Sequence, residues 1–211
     1  MTSINRRALI ALAAAVAAAP AWAEEAAPGE AAAAPAPAPV DFTLGDENAP
    51  VKIIEYASYT CPHCANFHET VFKPLKAEYI DTGKVHFTLR EVYFDRYGFW
   101  AALVARCGEG KRYGAISDMI FSRQRDWMNS DDPAAVMENL RVIGISAGLT
   151  REEIAVCEQD TAHGDALLAR FETHMKTDQI KGTPAILVDG ELIGNPAWAD
   201  LKAMIDSKLG G

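Results

Sequence analysis

Val51-Lys52-Ile53-Ile54-Glu55-Tyr56-Ala57-Ser58-Tyr59 runs through Thr60 into Cys61-Pro62-His63-Cys64. The first part is apolar on both alternations except at Lys52 and Glu55, the pattern of a central strand covered on two faces. After the cysteines, Phe67, Val71, Leu75 and Tyr79 recur every four residues and mark one face of a helix, with Pro74 inside it as an expected kink. Two thiols with two residues between them at a strand-to-helix junction can close a small ring whose sulfurs exchange with those of another protein. The chemistry this places on the chain is redox chemistry.

Working outward, Gly83 ends the helix and Val85-His86-Phe87-Thr88-Leu89 reads as a second strand. The next ninety or so residues change character. Tyr113, Ile116 and Ile120 share a helical face, and Asp132-Pro133 starts a helix carrying Val136, Leu140 and Ile143. Gly148 closes it, and Thr150-Arg151-Glu152-Glu153 has the form of a capping box. Leu167, Leu168, Phe171 and Met175 make a further amphipathic helix. Strand signals return after Gly182-Thr183-Pro184: Ala185 to Val188, a turn at Asp189-Gly190, then Glu191 to Ile193. Pro196 to Leu209 reads as a closing helix. The order is β-α-β, a helical block, then β-β-α, and the two halves must share one sheet. The expected fold is therefore α/β, with the helical block inserted into it rather than appended. The expected boundaries are 40–96 and 179–211 for the two parts of the α/β domain and 97–178 for the insertion.

The N-terminal region reads as an export segment. Arg6-Arg7 precedes an apolar stretch from Ala8 to about Ala19, and Ala21-Trp22-Ala23 is a small-x-small cleavage site, so cleavage is expected after Ala23. A membrane anchor is the alternative, but the stretch is well short of the roughly 20 residues a spanning helix needs. A twin-arginine route is only weakly signalled, given Asn5 and Ala8 beside the arginines. Residues 24–39 are almost all Ala, Pro and Glu, a spacer composition. Residues 1–23 carry Arg6 and Arg7 and no acids, so their removal takes the net charge from 20 − 29 = −9 to 18 − 29 = −11. Such an acidic surface argues against nucleic acid and anionic membrane as partners.

The sequence resembles the DsbA-like thiol:disulfide oxidoreductases over roughly Asp41 to Gly211. The resemblance rests on Cys-Pro-His-Cys after a strand, the helical insert, and a Thr-Pro before the β-hairpin. It implies a thioredoxin-like fold with an inserted all-helical domain, and a periplasmic enzyme. Cys61, Pro62, His63 and Cys64 would form the active site, with a cis Pro184 facing the disulfide and Glu55 as the family's buried acid. Best-known enterobacterial oxidases carry Val before the cis-proline; Thr183 here leaves oxidase and isomerase both open. The dimeric isomerases carry an N-terminal dimerisation domain, which residues 24–39 cannot supply, and a monomer is expected. Reduced exported proteins are the implied substrates, and a quinone-linked membrane protein resembling DsbB the implied re-oxidant. No cofactor is expected.

Cys61 would sit at a helix N-terminus, where unpaired N–H groups and the helix dipole favour an anion. His63 adds to that preference, unless it is only a surface residue of the turn. Glu55 is either a proton acceptor beneath Cys64 or a solvated acid at a strand edge. Cys61, Cys64 and His68 are also possible zinc ligands, although no fourth ligand has obvious spacing. Cys107 and Cys157 each read as helical, with apolar neighbours. In an oxidising compartment they are expected to form a structural disulfide rather than two buried free thiols, and relatives with a second disulfide support that pairing by resemblance. A cross-link over ~50 residues contributes ~4 kcal/mol in the chain-entropy model.

Overall fold

A computed structural model of the chain describes residues 39–210. The expected export segment, and all but the last residue of the spacer, lie outside them. No helix among the described residues is long and apolar enough to cross a membrane.

Five strands form one sheet in the order β1-β3-β2-β4-β5: β1 (Phe42–Leu44), β2 (Val51–Ala57), β3 (Val85–Glu91), β4 (Ala185–Val188) and β5 (Glu191–Gly194). The stretch ahead of the cysteines is β2, the middle strand. It runs parallel to β3 and antiparallel to β4, which explains its two-sided apolar pattern. β1 was not apparent in the sequence. It is three residues long and gains its place by antiparallel pairing with β3 and by stacking Phe42 on Tyr113, centroids 4.1 Å apart.

The helix after Cys61, α1, runs without a break from Pro62 to Ile80. It alternates α-helical Pro62–Phe67 and Lys73–Leu75 with π-helical His68–Phe72 and Lys76–Ile80. Pro74 is accommodated by this wider winding, in which the Lys73 N–H reaches back five residues to the carbonyl of His68. Both flanking residues keep helical φ/ψ values. At the far end, β4 and β5 are joined by Asp189-Gly190, both at positive φ, as a tight hairpin turn demands. The Asp189 carboxylate accepts from the Lys52 N–H at 2.8 Å, and its own N–H donates to the Lys52 carbonyl. The closing helix α8 (Trp198–Lys208) starts two residues later than expected, with Ala197 as its extended N-cap.

Between β3 and β4 lie α2 (Arg96–Arg106), a 3-10 turn Gly108–Gly110, α3 (Tyr113–Ser122), α4 (Gln124–Trp127), α5 (Pro133–Ser146), α6 (Arg151–Gln159) and α7 (Thr161–Thr177). Asp132 caps α5 by accepting from Ala134 N–H, and Thr150 with Glu153 forms a complete capping box on α6. Gly144 lets α2, α5 and α6 close up: a Cβ there would stand 3.1 to 3.2 Å from Ile154, Leu149 and Val104. Cys107 and Cys157 are bonded, their Cα atoms 5.7 Å apart, so the bridge lies wholly inside the helical block. Cys107 is not helical as expected; it is the extended C-cap of α2, where the chain turns toward Gly108.

The two sheet faces are buried differently. Val51, Ile53, Ala57, Ile186 and Val188 join α1, α8 and most of the helical block in one continuous apolar core. Tyr56, Val92, Leu187 and Ile180 form a smaller cluster on the other face, closed by Phe171 and Met175 of α7. Burying each such side chain contributes about 1.5 to 3 kcal/mol, so the larger core fixes the sheet against the helices. Asp41, just ahead of β1, is tied to Arg90 of β3 (3.2 Å) and Arg170 of α7 (2.6 Å).

Candidate functional site

The C-terminal end of β2 delivers Ser58, Tyr59 and Thr60 into a turn that ends at Cys61. The Cys61 N–H donates to the Ser58 carbonyl at 3.1 Å, and the Cys61 carbonyl accepts from Cys64 N–H (3.1 Å) and Ala65 N–H (3.2 Å). Cys61 is the extended N-cap of α1, with Pro62 at the first helical position, where no N–H is needed. The helix therefore begins between the two thiols. Its geometry separates them: Cys61 is partly exposed, Cys64 wholly buried (0%) against the core. Both are free thiols in this structure. His63 is exposed between them.

From the other half of the domain, Thr183-Pro184 reaches the same place. Its peptide bond is cis, and the Cys61 thiol donates to the Thr183 carbonyl at 3.5 Å. Burial pushes the Cys64 thiol far above its ordinary range. The nearby Glu55 and Cys61 act in the same direction, while the Thr183 hydroxyl and the Ser58 backbone oppose it. That hydroxyl is otherwise buried without a hydrogen-bond partner.

Glu55 is not at a strand edge. It sits in mid-sheet on β2, 3% exposed, opposite Leu89 on one side and Ile186 on the other. Neither neighbour offers a charge or a donor, and burial alone pushes its carboxyl up to about 8. Near neutral pH it holds a proton, and a proton-holding acid close to Cys64 can give one to a sulfur anion or take one from a thiol.

His68 does not turn toward the thiols. Its Nε2 is 2.8 Å from Asp118 of α3, and its ring stacks between Phe72 and Phe121, with centroids 4.8 and 5.0 Å away. Among the described residues no cluster of His, Cys, Asp or Glu is arranged to hold a metal ion.

Two contacts with the helical block escaped the sequence. Gln124, the first residue of α4, is buried and donates from Nε2 to the carbonyls of Tyr59 (2.8 Å) and Cys61 (2.9 Å). Thr60 donates to Asp95, the N-cap of α2, at 2.6 Å. An amide of the insertion and the carboxylate that caps its first helix thus hold the reactive turn. No local pattern announces either residue; only Asp95 carries a weak signal, as a cap.

A thioredoxin family model matches residues 38–207. The chain belongs to the thioredoxin family. Among curated relatives it is 33% identical over 170 residues to a putative protein-disulfide oxidoreductase of Rickettsia bellii, covering 80% of this chain and 64% of that one. It is 27% identical over 178 residues to a probable disulfide bond formation protein D of Bacillus cereus, covering 79% of this chain and 78% of the other. The chain thus spans less than two thirds of the length of the Rickettsia relative. Among solved structures it is similar to alpha-DsbA1 of Wolbachia pipientis, with a TM-score of 0.75, 27% identity, and coverage of 82% of this chain and 93% of that one. Within its family the chain is DsbA-like, with a thioredoxin-like fold.

Proposed function

We propose that the protein is an exported thiol:disulfide oxidoreductase that donates a Cys61–Cys64 disulfide to reduced proteins in the periplasm. The carrying observation is the asymmetry of the pair: one sulfur partly exposed beside the Thr183 backbone, the other buried above an uncompensated acid. The names of the relatives, and the export-like N-terminus, support the same reading.

In the oxidised enzyme a substrate thiolate attacks the Cys61 sulfur, the one open to solvent. The Cys61–Cys64 bond breaks, a substrate–Cys61 disulfide forms, and the electron pair goes to Cys64. At the depth of Cys64 a sulfur anion is strongly disfavoured, and the protonated Glu55 carboxyl is the nearby acid that neutralises it. A second substrate thiolate then attacks the substrate sulfur of the mixed disulfide. The substrate leaves oxidised, and Cys61 departs as a thiolate, an anion that the first turn of α1 and His63 favour. The carbonyl of Thr183 lies where an extended substrate chain would pair with it. Re-oxidation reverses the proton transfer, with Glu55 as acceptor; a quinone-linked membrane protein resembling DsbB is the proposed oxidant. The enzyme works as a monomer.

An isomerase or reductase remains the second reading, since Thr183 is the residue before Pro184. Equilibration with glutathione decides between them. Each ~30 mV of potential corresponds to ~1.4 kcal/mol between the dithiol and disulfide forms. The oxidase reading expects a potential more oxidising than about −180 mV, and a value near thioredoxin's, about −270 mV, would defeat it.

A further inference from the structure

Glu55 faces a cavity. A space of about 310 Å³ lies between the sheet and α3, walled by phenyl rings, and Glu55, His68, Lys76, Ser117 and Asp118 bring polar groups to it. It has room for about ten waters at liquid volume. Glu55 makes no side-chain hydrogen bond among the described residues, so its partner on this side is the cavity itself. At the other end Asp118 is half exposed. Between them stands His68, 5% exposed, its ring held by Phe72 and Phe121 and its Nε2 on Asp118. Among the described residues its Nδ1 has no protein partner.

We propose that the cavity is a proton inlet, in which Asp118 and His68 pass protons between solvent and Glu55 by a route that avoids the substrate-covered face at Cys61. This deepens the proposed redox function and rests on it. The need follows from the chemistry. Once Glu55 has given its proton to the Cys64 sulfur, it is a buried carboxylate between Leu89 and Ile186. The mixed disulfide at that moment covers the exposed sulfur. Asp118 takes a proton from bulk water and gives it to Nε2 of the Nδ1–H tautomer of His68, and the Nδ1 proton leaves through cavity water to Glu55. The ring is left as the Nε2–H tautomer donating to the Asp118 carboxylate, and the reverse transfer during re-oxidation resets it. The imidazole ends neutral and no electrons move. Burial lowers the affinity of His68 for a second proton while Asp118 raises it, so the ring is neutral near pH 7 and able to carry a proton in either direction. The other charged groups facing the cavity are Lys76 of α1, whose ammonium is held by Asp81 at 2.6 and 2.8 Å, and Asp118 itself.

The test uses the full protein and single-turnover oxidation of a dithiol peptide between pH 5 and 8. His68→Phe keeps a flat ring between Phe72 and Phe121 and removes the relay; Asp118→Asn changes only the half-exposed outer end. Both are expected to slow, by about tenfold or more, the proton uptake that restores Glu55 after it has protonated Cys64, followed with a pH indicator during the turnover. Free imidazole should restore the rate of His68→Phe. His68→Gln, which can still hydrogen bond to Asp118, should be no better than His68→Phe. The reduction potential should not move, because a relay alters rate and not equilibrium. Wild-type rates and pH profile in Asp118→Asn, or recovery by His68→Gln, would overturn the inlet. Should the wild type fail to oxidise the peptide at all, the redox function falls. The inlet is then read by infrared detection of Glu55 protonation after a pH jump, where equal rates in wild type and Asp118→Asn would overturn it.

Discussion

Two carboxylates lie on adjacent central strands of this sheet, both nearly out of solvent, and the fold treats them in opposite ways. Glu91, at the end of β3, is gripped by Arg106 of α2 through two parallel bonds of 2.8 and 2.7 Å, and accepts a third from Tyr113 at 2.6 Å. The chain of hydroxyls continues to Tyr59 and Ser117. Glu55, on β2, has apolar cross-strand neighbours on both sides and no side-chain bond among the described residues. A buried acid gripped by a guanidinium and a hydroxyl serves as a structural tie between the elements that carry those groups. An unmatched one costs stability and retains a proton to exchange. The first ties β3 to the helical block; the second lies beside the thiol that needs a proton partner.

Removing the matching groups should turn the first carboxylate into a destabilising version of the second. Arg106→Met leaves Glu91 buried and unpaired and is expected to cost about 3 to 5 kcal/mol in denaturant unfolding. Adding Glu91→Leu to that variant should recover most of the loss, and a double variant as unstable as the single would break the comparison.

The opposite change sharpens it. Glu55→Gln removes the unmatched acid and is expected to stabilise the reduced protein by about 3 kcal/mol at pH 7. The sign follows from proton counting. With its carboxyl raised from 4.5 to about 8, the folded state binds the proton more tightly than the unfolded chain. Wild-type stability therefore falls as pH rises from about 4.5 to about 8 and then levels off. The variant should lose that slope. Unfolding midpoints across the range, with identical slopes in both proteins, would show that Glu55 is not held protonated.

A smaller effect comes from trimming one bond of the matched site. Tyr113→Phe deletes the third donor to Glu91 but leaves Arg106 in place, and should cost about 1.5 to 3 kcal/mol, the range for a bond to a charged group. A loss as large as that of Arg106→Met would mean that the hydroxyl chain, and not the guanidinium, holds the anion.

The contrast also marks how far the sequence could be read. Local signals reached their elements: two-sided hydrophobicity gave β2, Thr150 with Glu153 gave the start of α6, and Asp189-Gly190 gave the hairpin. The Cys-Pro-His-Cys turn and Thr183-Pro184 were legible as motifs, and the structure brings them within 3.5 Å of each other. Partnership across the fold was not legible. Glu55 and Glu91 look alike as letters in apolar strands, and only the register with Leu89 and Ile186, or the approach of Arg106, separates them. Gln124 reaches the reactive turn from 63 positions away, and β1 exists because β3 and Tyr113 are there to receive it. Such contacts are set by tertiary packing, which leaves no periodic trace.

The reactive turn and the Thr183 carbonyl that covers it are 122 positions apart in the chain, with the helical block between them. Because β4 completes the middle of the sheet, a polypeptide emerging N-terminus first displays both thiols long before their cover has been synthesised. Until the last strands arrive, Cys61 lacks the Thr183 carbonyl beside it. The pocket around the sulfurs is therefore complete only when the C-terminal strands have joined β2.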